Sequence, residues 1–438
     1  MKKMQKAAAI PVTVLMLSAM VVPGMAFAEE AVSAEGVTVE ANADSNTGYT
    51  VSFSYYNEEA TNVQIMGGFQ FYAENDENVY AAGYNLEEGD DVNNYFLDPQ
   101  DWTKDGDLWH VGDAGYIADM ENNDGVWTYT LDLPGGSYLY QYNVSYDNGE
   151  TYEAVVDPEN IPYCNELGAV QVRSQFYVPY DAEKQSENED WTWLMPAENE
   201  EDRGTLVRET YTGLDDAERP VEIYLPANYD ENREEPYKVL YLSHGGGGDE
   251  ADWLHQGNAG NVVDRLAADG ACEEFLIVTM NNTEFEWDYD KIFENVSEYL
   301  IPYVEENYNV STEAADRAFA GLSMGGMTTT EMYYRDPSLF GYFGIFSGSA
   351  EFDFPELDDY SDYAAPTLFI AAGWEDMALI NGNYQTEEDN TTVGFAEKLD
   401  ELGITYNNGE GVYIVQGGHD WFTWPQILKN FVETTLWK

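Results

Sequence analysis

Positive charge is what this chain most plainly lacks. Its 438 residues hold 18 lysines and arginines against 83 aspartates and glutamates, a formal net charge of −65. A surface that acidic repels nucleic acid and anionic membranes, so neither is expected as a partner. It also repels acidic polysaccharide, and the plainest role for the charge is solvation. Cysteine is nearly absent, with Cys164 and Cys272 alone. Two cysteines give no disulfide framework and no metal signal, although in an exported chain the two can pair. Histidine is scarce as well: His110, His244, His255 and His419. Chemistry that needs an imidazole must draw on those four positions. Beyond residues 7–22 no apolar run is long enough to span a bilayer.

That one run has the form of an export signal. Lys2, Lys3 and Lys6 precede it, and Ala26-Phe27-Ala28 is a small-residue cleavage pattern that leaves Glu29 as the mature start. The competing reading is an uncleaved anchor. Residues 1–28 are expected to be a signal peptide and the protein to be secreted. No cysteine stands at the end of the apolar run to take a lipid and no sorting tail precedes Lys438, so the mature chain is expected to be free of the membrane.

The remainder divides by pattern. Residues 51–55, 63–68, 126–131 and 138–144 are short runs rich in β-branched and aromatic residues, with glycine and proline turns between them. They predict an all-β sandwich over residues 30–180, interrupted by a long polar insertion at 74–119. Residues 101–107 are acidic but lack a complete calcium-ligand pattern, so no metal is expected. Residues 181–203 read as a polar linker that packs Trp191 and Trp193 on a neighbour. From residue 204 strands and helices alternate. Residues 205–212 and 219–225 read as an antiparallel pair. Residues 237–242, 275–280, 317–321, 342–346, 367–372 and 412–416 read as further strands, several of them continuous apolar runs buried on both faces. Helices are expected over 258–268, 289–307, 324–334, 392–402 and 424–436. Residues 204–438 are therefore expected to form a largely parallel α/β sheet.

Gly321-Leu322-Ser323-Met324-Gly325 is the stretch with chemical content. G-x-S-x-G between a strand and a helix is the pattern of a nucleophile elbow, where small flanks let a serine sit on a sharp, strained turn. A serine nucleophile needs a base, an orienting acid and an oxyanion hole. His419 follows the last strand and two glycines, and is the expected base. Asp376 leaves the strand at 367–372 and is the expected acid, with Glu375 as the near alternative. Oxyanion donors are expected from the backbone of Met324 and from Gly245 or Gly246. These two glycines belong to the run from Gly245 to Gly248 that leaves the strand at 237–242, and His244 at its start is expected to fix the loop. Trp253, Trp287 and Trp421 flank these loops and are candidates for contact with an aromatic acyl group or a sugar ring; each is equally a candidate half-buried aromatic.

Two resemblances follow. Asp124-Gly125-Val126-Trp127, then Pro134-Gly135, then Asp157-Pro158-Glu159-Asn160 resemble the immunoglobulin-like domain, related to glycogen-binding modules, that precedes many carbohydrate-active enzymes. This implies carbohydrate binding, while Trp127 and the nearby tyrosines also suit the core of a spacer domain. Residues 204–438 resemble the esterase D and feruloyl esterase family of carbohydrate esterases. The likeness rests on Val221-Glu222-Ile223-Tyr224-Leu225-Pro226, on the stretch from Leu240 to Trp253, on Ile301-Pro302-Tyr303-Val304-Glu305, on Arg317 to Gly326 and on Phe346-Ser347-Gly348. It implies an α/β-hydrolase domain and a serine esterase that uses no cofactor and acts on plant cell-wall polysaccharide, mainly on feruloyl or acetyl groups of xylan. Feruloyl esterase on arabinoxylan is the leading expectation. The alternatives are an acetyl-xylan esterase, another acyl esterase or acyltransferase of the same fold such as a siderophore esterase, and a carbohydrate-binding protein with a degenerate hydrolase domain.

Overall fold

A computed structural model describes residues 35–73, 102, 104, 108–111, 116–164, 173–348, 354, 356–357, 359–374, 376–380 and 391–438. The leader, most of the polar insertion, most of the loop at 101–107 and Glu375 lie outside the described residues.

The described residues between 36 and 178 form two antiparallel sheets and a two-stranded ladder. In the first, β1 (Gly36–Ala41), β2 (Tyr49–Tyr56), β8 (Val126–Asp132) and β7 (Glu121–Asn123) lie side by side. In the second the order is β10 (Glu153–Val155), β9 (Gly136–Ser145), β3 (Asn62–Gly67) and β6 (Tyr116–Asp119). There β11 (Ser174–Val178) pairs with the first half of β9. A separate ladder joins β4 (Gln70–Ala73) to β5 (Leu108–Val111). Alternation decides which faces meet. Val51, Phe53 and Tyr55 point inward from β2, as Val63 and Ile65 do from β3. The Phe53 ring lies 5.2 Å from that of Tyr140, and Tyr55 lies 4.7 Å from Tyr142, so aromatic packing closes the two sheets on each other. Each such ring contributes about 1.5–3 kcal/mol by leaving water.

The eight-stranded sheet of the second half runs β12 (Thr205–Thr212), β13 (Glu218–Leu225), β15 (Phe275–Met280), β14 (Lys238–Ser243), β16 (Arg317–Leu322), β17 (Tyr342–Phe346), β18 (Thr367–Gly373), β19 (Tyr413–Val415). The pairs β12–β13 and β13–β15 are antiparallel and the others parallel. Every residue of β15 and β16 is buried, because helices cover both faces. On one face lie α1 (Asp252–His255), α2 (Ala259–Ala268) and α8 (Thr423–Thr434). Helix α8 buries Trp424, Ile427, Leu428, Phe431 and Val432, a helical stripe. The other face takes α3 (Tyr289–Asn295), α4 (Ile301–Asn307), α5 (Met324–Arg335) and α7 (Thr392–Leu402), with the short α6 (Met377–Ile380) following β18. Thr391 caps α7 by accepting from Gly394 N at 2.8 Å, and Gly403 ends it at φ 72°.

Residues 289–307, expected as one helix, are interrupted by a π turn, Val296–Leu300, in which Ile301 N donates to Val296 O. Pro302 supplies no N–H and its ring crowds the carbonyl four residues back, so the turn widens there. The linker is no loose tether. Arg265 on α2 donates to the carbonyls of Met195 and Pro196 at 3.2 and 2.7 Å, and Trp191 meets Phe422 edge-on at 4.7 Å. Its short turns at Glu187–Glu189, Thr192–Leu194 and Glu200–Asp202 are too brief for sequence periodicity to reveal. The two halves also bond directly, through Tyr177 Oη to Asn258 Oδ1 (2.7 Å) and Tyr163 Oη to Glu222 Oε2 (3.0 Å).

Glu222 is fully buried between Tyr163 and Arg208, whose Nε lies 2.8 Å from Oε1. Burial pushes its carboxyl from the ordinary 4.5 up to about 8, against the lowering effect of the Tyr163 hydrogen bond and the Arg208 charge. Asp249 and Glu250 are raised by burial too. A raised acid is protonated when folded and ionises on unfolding, so its contribution is full below pH 4.5 and is lost as pH rises toward 8. The melting temperature should therefore fall between pH 5 and 8. Glu222→Gln should flatten that decline by roughly 2–4 °C, the shift that one kcal/mol produces in a domain of about 150–250 residues. A thermal melt series in which the variant keeps the full slope would contradict the assignment.

Candidate active site

Strand β16 delivers Ser323 to a turn with φ 52° and ψ −119°, a conformation that costs a non-glycine residue energy and persists only where the surroundings impose it. Two bonds impose it: Ser323 N donates to Phe346 O at 3.0 Å, and Met327 N donates to Ser323 O at 3.0 Å. Helix α5 starts at the next residue. A Cβ on Gly321 would collide with the Gly325 carbonyl, and one on Gly325 with the carbonyls of Ser243 and His244. Strand, elbow and helix meet more closely than side chains would allow. Thr328, Thr329 and Thr330 then fold their hydroxyls back onto the carbonyls of Met324, Gly325 and Gly326.

Two other strand ends bring groups to the serine. After β19, His419 Nε2 lies 2.8 Å from Ser323 Oγ. After β18, Asp376 Oδ1 lies 2.8 Å from His419 Nδ1 and accepts from Ala378 N at 2.7 Å. The Asp376 side chain is fully buried and that of His419 is 15% exposed. A carboxylate only accepts, so Nδ1 carries the imidazole proton and Nε2 is left to accept from the serine hydroxyl. Trp424 meets the imidazole edge-on at 5.1 Å and limits its rotation. Asp420, the other nearby acid, accepts from Phe422 N and Thr423 N at the start of α8.

The glycine run lies against the serine from the opposite side. A Cβ on Gly245 would stand 3.2 Å from Ser323 Cβ, and one on Gly246 2.9 Å from Met324 Sδ. His244 holds this loop: its Nδ1 donates to Gly245 O at 2.7 Å and its Nε2 accepts from Asn282 N at 3.0 Å. Burial lowers its pKa to about 4, so the ring is neutral and ties the exit of β14 to that of β15. Met324 N is among the first N–H groups of α5, which have no intrahelical acceptor. Among the described residues none accepts from the N–H groups of Gly245 and Gly246.

The three flanking tryptophans behave differently from one another. Trp253 is 1% exposed, donates to Ser243 O at 2.9 Å and packs on Trp421, so the expected substrate contact is corrected to a core role. Trp421 is half-buried between Trp253 and Trp424, and lines a narrow cleft shared with Gly136, Ser137 and Leu139 of the β sheets. Trp287 is half-buried, 5.5 Å from His244, and keeps a place at the loop. Sequence reasoning passed over Trp374. It directly follows β18, stands two residues before Asp376 and is 66% exposed. The signal was available, since a tryptophan at a strand exit beside a candidate acid has little core left to fill. The remaining histidines stand aside: His255 donates to Arg173 O at 2.8 Å, and the His110 side chain lies outside the described residues. Cys164 and Cys272 are both free. A cleft of about 310 Å³ opens elsewhere, beside Val263, Asp264, Cys272 and Phe275, and contains none of the Ser323 constellation.

Comparison with known proteins adds five findings. The model of the family described as "Putative esterase" matches residues 215–435. Over 336 residues the chain is 26% identical to an endo-1,4-beta-xylanase/feruloyl esterase of Xylanibacter ruminicola, covering 74% of this chain and 42% of that one. Over 206 residues it is 27% identical to endo-1,4-beta-xylanase Y of Acetivibrio thermocellus, covering 42% of this chain and 19% of the relative. The chain thus spans less than half the length of these relatives. Among solved structures it is similar to a ferulic acid esterase of Anaeromyces mucronatus (23% identity, 56% of this chain, 95% of that one, TM-score 0.46). It is also similar to an enterobactin esterase of Shigella flexneri (13% identity, 91% and 95% covered, TM-score 0.49).

Proposed function

The chain belongs to the esterase family, and from that premise we propose that it is an exported serine esterase that removes feruloyl groups from plant cell-wall arabinoxylan. The observation that carries the mechanism is the unbroken series Asp376 Oδ1, His419 Nδ1 and Nε2, Ser323 Oγ, at 2.8 Å per link, on a strained elbow. His419 takes the hydroxyl proton as Ser323 Oγ attacks the ester carbonyl carbon. The N–H groups of Met324 and of Gly245 or Gly246 hold the oxyanion. The ester C–O bond then breaks, and His419 returns the proton to the leaving sugar oxygen. Water, deprotonated by the same imidazole, releases the acid and frees Ser323. Side chains, backbone and water suffice for every step.

The substrate class rests on the names of the two xylanase relatives and on the family resemblance; the export reading rests on residues 1–28. The sheets at 36–178 fit the immunoglobulin-like module better as a docked structural partner than as a sugar platform. Trp127 is 5% exposed and donates to Asn57 O, and Tyr138, Tyr140 and Tyr142 are all buried. The purified protein should release ferulate from methyl ferulate and from feruloylated arabinoxylan, faster than acetate from acetylated xylan. The reverse ranking would favour an acetyl-xylan esterase, and release of neither acid would contradict the proposal.

A further inference from the structure

Trp374 is a large apolar side chain held out in water beside the candidate triad acid. Its backbone is fixed: Trp374 N donates to Val415 O at 2.8 Å, and Asp376 N closes the turn onto Gly373 O at 3.2 Å. Register adds a neighbour. Ala372 of β18 pairs with Ile414 of β19. Trp374, in the turn that follows β18, and Ile414, on the adjacent β19, are 66% and 41% exposed. Among the described residues after 204, Leu357 is the one other large apolar side chain so exposed. Exposing this surface at the rim of a site, on a turn locked by hydrogen bonds, gives a rigid aromatic ledge with no core to serve.

The direction of the reaction says which part of the substrate meets that ledge. The imidazole that deprotonates Ser323 must afterwards protonate the leaving oxygen, so the alcohol portion of the ester lies on the side of His419. The oxyanion lies on the other side, toward Met324 and the glycine loop. Trp374 sits on the His419 side, because consecutive Cα atoms are about 3.8 Å apart and only one residue separates it from the acid that holds the imidazole. Building on the proposed esterase mechanism, we propose that Trp374, flanked by Ile414, is the platform on which the sugar ring of the leaving alcohol stacks. The apolar face of a pyranose or furanose ring packs on an indole without any need for charge.

Turnover of a feruloylated arabinoxylo-oligosaccharide and of methyl ferulate, which has no sugar, tests this in wild type, Trp374→Ala and Trp374→Phe. Trp374→Ala should lose about tenfold in kcat/KM on the oligosaccharide, mainly through KM, and less than about twofold on methyl ferulate. Trp374→Phe should keep most of the oligosaccharide activity. Calorimetric titration with the unesterified oligosaccharide should show binding to wild type and its loss in Trp374→Ala. Equal losses on both esters would mean that Trp374 acts on the acyl group or through Asp376, and would overturn the proposal. So would unchanged KM and unchanged binding in Trp374→Ala. A wild type that cleaves neither ester yet binds the glycan through Trp374 would sink the esterase mechanism and spare the platform.

Discussion

Replacing Ser323 with alanine should reduce ester turnover by about 10⁴-fold or more, because nucleophile, base and acid act as one unit. The residual rate would come from the oxyanion donors and substrate binding, which the substitution leaves in place. Adding His419→Ala to that variant should cost almost nothing further, since a base without its nucleophile has no proton to move. Stability gives an independent readout of the same residue. Ser323 holds φ 52° and ψ −119°; alanine inherits that strain and glycine does not. Ser323→Gly should be equally inactive and more stable than Ser323→Ala by about 1 kcal/mol. Kinetics on an aryl ester and a pair of melts check both halves.

Gly325→Ala should damage fold and chemistry together. The added methyl would collide with the backbone carbonyls of Ser243 and His244, which belong to the end of β14 and the loop beside the serine. No rotamer escapes a clash with backbone, so α5 or the loop must shift. Overpacking of this kind costs about 1–3 kcal/mol. A displacement of about 1 Å between Ser323 and its partners is enough to cost about 100-fold in turnover. Gly270→Ala is the matched control. At Gly270 φ is 70° and nothing lies within 4 Å of a built Cβ, so that change should cost about 1 kcal/mol of backbone strain and no activity.

Much of this arrangement was legible in the sequence. Continuous apolar runs marked β14 to β18, because a strand covered on both faces has no polar side to show. The elbow was legible because its geometry excludes side chains at Gly321 and Gly325, and His419 because glycines and a strand end leave a histidine little to pack against. What escaped was direction and company. Trp253 and Trp374 both stand beside strand-exit loops, yet one points into the core and the other into water, and only the candidate acid beside Trp374 hints at the difference. The linker read as polar with Trp191 and Trp193 packed on a neighbour, while the hold of Arg265 and Asn261 on its carbonyls, from positions distant in sequence, left no local trace. Strands as short as β7 and β10, three residues each, are too brief for period-two alternation to register. The π turn at Val296–Leu300 needed only Pro302 to be weighed against an otherwise helical stretch. Glu375, the near alternative for the acid, lies outside the described residues, and Asp376 makes the bond to His419.

Intact-mass spectrometry after treatment with an alkyl fluorophosphonate tests the central claim most directly. Ser323 Oγ would bond to phosphorus, the P–F bond would break, fluoride would leave, and His419 would take the hydroxyl proton. Wild type should gain one alkylphosphonyl group, mapped by peptide sequencing to Ser323, and Ser323→Ala should gain none. A label on another residue, or equal labelling of the Ser323→Ala variant, would contradict the assignment of Ser323 as the nucleophile.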